Sequence, residues 1–80
     1  MRLFFDIQHR GDLFLNDEGE EFRSIGAACD HLAQVLGAFM HSGGDIADIR
    51  DMVVDITDRG KIHLSVPIID ILPEPLPRAA

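Results

Sequence analysis

Tryptophan and tyrosine are absent from this chain, and cysteine occurs once, as Cys29. A lone cysteine excludes an intramolecular disulfide, and with it the stapled route by which many small secreted domains are stabilised. Basic residues are scarce as well: 7 Lys and Arg stand against 14 Asp and Glu, for a formal net charge of -7. So acidic a chain repels a phosphate backbone and an anionic bilayer, so neither nucleic acid nor membrane is expected as a partner. It favours solubility and basic partners or cations. No apolar run approaches the ~20 residues of a bilayer span. Arg2 and Asp6 break the first apolar stretch where a secretion signal needs continuity. A reducing cytoplasm is therefore the expected compartment. Gly-rich phosphate loops, nucleophile elbows and dinucleotide fingerprints are also missing, so neither an enzyme nor a cofactor is expected.

What is present is a globular composition, 46% hydrophobic and 26% charged over 80 residues. That is one small domain with a modest core, and self-association is a common supplement at this size. Its most informative feature is a repeat. Phe4-Phe5-Asp6-Ile7-Gln8-His9-Arg10-Gly11-Asp12-Leu13-Phe14-Leu15 aligns without gaps to Val53-Val54-Asp55-Ile56-Thr57-Asp58-Arg59-Gly60-Lys61-Ile62-His63-Leu64. Each copy reads as a strand, an Arg-Gly turn and a return strand. Residues directly opposite one another share a face, so matching the apolar faces selects a three-residue loop with the glycine left-handed. In the first copy this opposes Gln8 to Asp12, Ile7 to Leu13, Asp6 to Phe14 and Phe5 to Leu15. In the second it opposes Thr57 to Lys61, Ile56 to Ile62, Asp55 to His63 and Val54 to Leu64.

Between the hairpins, Asn16–Glu21 reads as an acidic loop with a turn glycine. Ser24 is a candidate N-cap. Ile25, Ala28, Cys29, Leu32, Val35, Leu36, Phe39 and Met40 recur at steps of three and four, the stripe of an amphipathic helix. Ser42-Gly43-Gly44 ends it. Asp45 to Arg50 is either a loop or one further turn capped by Asp45. The predicted fold class is α+β: β-β-α-β-β, with one helix on a four-stranded sheet in the order 2-1-3-4. The domain spans 1–66. Residues 67–80 form a tail, apolar over Ile68–Leu72 and then proline-rich, which is a fifth strand, a swapped arm or disordered.

One helix covers one face of such a sheet. The other face is expected to carry Phe4, Asp6, Gln8, Asp12, Phe14, Asn16, Val53, Asp55, Thr57, Lys61, His63 and Ser65. Phe4, Phe14 and Val53 form an apolar patch there, and the tail, a second copy or another protein could cover it. Asp6 and Asp55 occupy equivalent positions on that face, with His63 expected opposite Asp55. Three such groups are candidates for binding a cation or small ligand, although a cross-strand charge pair accounts for Asp55 and His63 equally well. No ligand set matches a zinc or calcium pattern, so no metal site is expected. Cys29 lies within the apolar stripe, where packing explains it better than reactivity. Arg10 and Arg59 mark the two hairpin tips and read as turn residues before a glycine.

The ordered set Leu3-Phe4-Phe5-Asp6, Asp17-Glu18-Gly19, Ala27-Ala28 and Val54-Asp55-Ile56-Thr57-Asp58-Arg59-Gly60 resembles a family of small uncharacterised bacterial domains common in alphaproteobacteria. The likeness runs from about Arg2 to Val66 and implies no reaction and no catalytic residue. The expected role is a non-catalytic interaction or self-assembly module, with a protein partner or a second copy docking on Phe4, Phe14, Val53, Ile69 and Ile71. The alternative is a ligand- or cation-binding protein using Asp6, Asp55 and His63.

Overall fold

Alternation of Leu3, Phe5 and Ile7 with Phe4, Asp6 and Gln8 builds the first strand, β1 (Arg2–His9), in a computed structural model that describes residues 1–71. The chain continues through β2 (Asp12–Phe14), β3 (Glu20–Glu21), α1 (Ile25–His41), α2 (Ile46–Ile49), β4 (Val53–Thr57), β5 (Ile62–Pro67) and α3 (Ile68–Ile71). The fold is α+β as expected. The sheet order is β2-β1-β4-β5, which is the predicted 2-1-3-4, with β3 as an additional short strand on β1. All pairings are antiparallel. With β4 along one side of β1, both β2 and β3 lie along the other.

Ser24 caps α1 with its hydroxyl, which accepts from Ala27 N–H at 3.0 Å. Gly43, at φ 96°, reverses the chain after the helix, and Gly44 N–H closes back onto Phe39 C=O at 2.9 Å. Asp45 settles the open alternative in favour of a second helical turn, its carboxylate accepting from Ala47 N–H. The helical stripe buries Ala28, Leu32 and Leu36 against the sheet. One half of the core joins Leu3, Ala28, Ile56 and Val66; the other joins Leu32, Leu36, Val54 and Ile68. Each leucine, isoleucine and valine among them contributes about 1.5–3 kcal/mol by leaving water.

Both hairpin registers differ from expectation. In the first, Gln8 opposes Leu13 and Ile7 opposes Phe14, so the loop is two residues, not three. Arg10 (φ 52°) and Gly11 (φ 84°) are both left-handed, the conformation of a type I′ turn, whose twist matches that of the flanking strands. Turn geometry outweighed the matching of apolar faces because β2 is an edge strand exposed on both sides. In the second hairpin Asp55 opposes Ser65 and Ile56 opposes Leu64, and an irregularity then brings Thr57 against Ile62. Here Arg59 (φ 73°), not Gly60, adopts the left-handed conformation.

The C-terminal segment also departs from a β-prone reading. Ile68–Ile71 makes a helical turn, with Ile68 only 1% exposed and its N–H bonded to Met52 C=O at 2.8 Å. The segment read as a tail from residue 67 thus begins inside the core. Leu72 and the proline-rich stretch that follows lie outside the described residues.

Candidate functional site

The face of the sheet away from α1 centres on Asp6 and Asp55, which stand directly opposite one another on β1 and β4 and are both buried. Each carboxylate is fully engaged. Asp6 accepts from Asn16 N–H at 3.0 Å and from Arg59 Nη1 at 2.7 Å. Asp55 accepts from Ser65 Oγ at 2.6 Å and from Gln8 Nε2 at 2.7 Å. This satisfies the rule that a buried charge needs partners on both oxygens. His63 does not join the pair. The altered register sets Ser65 opposite Asp55, and His63 Nε2 meets Asp58 Oδ2 at 2.7 Å instead. The predicted Asp6/Asp55/His63 constellation is therefore three groups, each with its own partners. Among the described residues no group of three or more His, Cys, Asp or Glu is placed to hold a metal ion.

Asp58 sits in its turn as an acceptor. Lys61 N–H, His63 and Gly60 N–H, in order of weight, draw its carboxyl down to about 2.

Arg59 ties the two halves of the repeat together. Beyond its bond to Asp6, Nη2 donates to Asn16 C=O and the guanidinium lies 4.3 Å from the Phe4 ring centroid. Asn16 Oδ1 in turn accepts from Glu18 and Gly19 N–H, folding the acidic loop beneath the same ring. Gly19 (φ 69°) is required there: a methyl group would come within 2.7 Å of Phe4 Cε2. Phe4 is thus roofed by its own chain. Arg10, the repeat partner of Arg59, makes only an exposed contact, 3.6 Å from Asp51.

Phe14 leaves the open face altogether. Pairing with Ile7 turns it to the helix side, so the expected Phe4/Phe14/Val53 patch does not exist as one surface. Val53 remains on the open face, opposite Gln8, and borders a cleft of about 380 Å³ with His9, Leu13, Asp51 and Asp55. His9 Nε2 lies there 3.2 Å from Asp51 Oδ1, off hydrogen-bond geometry. Ile71 packs on both core clusters, while Ile69 is 51% exposed beyond β5.

A second depression, of about 340 Å³, runs on the helix side between α1 and β2. Phe5, Ile7 and Leu32 form its floor, and Phe14, Leu15 and Val35 its walls. Leu13 (57% exposed) and Phe14 (54%) put one apolar side chain on each face of the edge strand, and Leu15 (58%) follows directly after it. Leu13, Leu15 and Val35 were not singled out as surface residues from the sequence. The available signal was the run itself, since three large apolar residues in a row break the period-two pattern of a half-covered strand.

The fold and this surface define a small α+β domain with a closed polar face and an open apolar edge. The chain belongs to the family described as a domain of unknown function, DUF6894, whose model matches residues 2–69. No curated protein and no solved structure was found to match it. No helix among the described residues is long and apolar enough to cross a membrane.

Proposed function

We propose that the chain is a non-catalytic protein-interaction module that docks its partner in the α1/β2 groove and along the free edge of β2. The supporting observation is the exposed run Leu13-Phe14-Leu15, whose first two residues lie on the edge strand β2 and whose third follows it. A strand apolar on both faces suits the interior of a sheet, and edges left in that state recruit another chain. This moves the docking surface from the open face to the helix side. Phe14 is retained from the earlier set, Leu13, Leu15 and Val35 are added, and Phe4 becomes a structural residue beneath Arg59.

The test is site-specific photo-crosslinking in cells that express the chain naturally, with the probe at Val35 and a control probe at the exposed Lys61. A discrete adduct from Val35 that the Lys61 probe does not give supports the reading. Equal adducts from both sites, or none from Val35, overturn it.

A further inference from the structure

We propose that the occupant of this surface is a second copy of the chain, paired β2 to β2 in antiparallel fashion about a two-fold axis through Leu13. The inference rests on the reading above and names the partner. It starts from the two-residue turn. In a β-turn the carbonyl of the first residue accepts from the N–H of the fourth, so His9 and Asp12 form the hydrogen-bonded pair next to the loop. Antiparallel ladders alternate bonded and non-bonded pairs, so Gln8 and Leu13 are a non-bonded pair. The N–H and C=O of Leu13 therefore point away from β1, to the free edge.

A strand of three residues offers few outward groups, and Leu13 at its middle carries a matched donor and acceptor. The arrangement that uses both is Leu13 against the partner's Leu13, which exchanges two N–H···O bonds across the axis. The two four-stranded paths then join into one sheet of eight strands. An axis perpendicular to the sheet keeps both α1 helices on the same face. Phe14, Leu15 and Val35 of the two copies fill the space between the helices, which closes both grooves at once.

The charges agree with this register. Arg10, a turn residue 63% exposed in its side chain, is brought by this pairing to the end of the partner's β2, from which the partner's Asn16 and the partner's Asp17 lead into the acidic loop. Each copy thus offers one cation to the acidic loop of the other. A self-complementary patch of this kind is what a two-fold contact requires.

Leu13→Pro is a selective probe. Of the backbone hydrogen-bonding groups it deletes only the outward N–H, which the hairpin does not use, and proline is tolerated on an edge strand. By symmetry it removes both interchain bonds, so the dissociation constant should rise roughly 10–100-fold. Leu13→Lys, which sets two like charges on the axis, should have an effect at least as large and guards against a folding defect in the proline variant. Light scattering behind size exclusion, over a concentration series of the full chain, reads the outcome, with circular dichroism to confirm folding. A wild-type dimer that both folded variants dissociate is the expected result. A wild-type monomer throughout the series, or a dimer that neither variant weakens, overturns the inference. A wild-type monomer whose Val35 probe captures a different protein overturns the second copy alone; a monomer with no adduct overturns the docking surface as well.

Discussion

Replacing Arg59 with alanine should unfold this domain far more readily than replacing Arg10, although the two occupy equivalent positions in the repeat. Arg59 bonds a carboxylate whose side chain is 11% exposed, bonds Asn16 C=O and covers Phe4. Removing one partner of a buried ion pair costs about 3–5 kcal/mol, because the remaining charge stays buried. The Arg59 side chain is itself 37% exposed, and Asp6 keeps its bond from Asn16 N–H, so solvent screening reduces this. Loss of the guanidinium over Phe4 adds about 0.5–1 kcal/mol. The expected loss is about 2–3 kcal/mol, or about 10–20 °C in Tm for a domain of this size. Arg10 and Asp51 are 63% and 51% exposed at 3.6 Å, so Arg10→Ala should change stability by less than about 0.5 kcal/mol. Urea unfolding of Arg59→Ala, Asp6→Asn and the double variant closes a cycle whose coupling energy should exceed about 1 kcal/mol. Equal losses for the two arginines, or a coupling near zero, would refute the clasp.

Ile68→Ala should cost about 2–4 kcal/mol in urea unfolding, and a chain ended at residue 66 should lose at least as much, because Ile68 is core. An effect below about 0.5 kcal/mol would return the segment to the status of a tail. Gly19→Ala should lose about 2 kcal/mol, since alanine is strained at φ 69° and its methyl group displaces the Phe4 ring from Arg59; thermal melts read this directly. Asp58 has its folded value lowered from 3.8 to about 2, so its bonds stabilise the fold above about pH 4 and fade as pH falls toward 2. Carboxyl NMR should show its midpoint near the lower value, and a midpoint close to 4 would mean the turn bonds are not formed in solution.

The repeat made the sheet order legible. The apolar character of the first strand in each copy marked β1 and β4 as central, Ser24 and the helical stripe placed α1, and Asp45 left α2 as one of two alternatives. The first register was not legible, because the parity rule assumes that every strand has one covered face, and β2 has none. In the second hairpin the apolar faces do match, but the pairing slides by two residues and is broken by an irregularity between Ile56 and Thr57. Arg59 reached Asp6 across 53 residues of sequence, a contact that follows from the packing of the hairpins and not from either hairpin alone. β3, at two residues, is too short to show any period and read as part of the acidic loop. Ile68–Ile71 carries β-branched residues, but the N–H of Ile68 bonds Met52 C=O and its side chain reaches the core, and tertiary contact overrode propensity. For the candidate surface, the sequence marked Phe14 correctly as unusual and assigned it to the wrong face, a direct consequence of the one-residue register difference.

The most direct test of the central claim is amide hydrogen exchange at Leu13, measured by NMR on the full chain across a dilution series. An unpaired edge leaves this N–H open to solvent, whereas pairing to a second β2 protects it. The account predicts protection at Leu13 that grows with protein concentration while Leu3 and Ile56 in the core stay protected throughout. A Leu13 amide that exchanges freely at every concentration would contradict it.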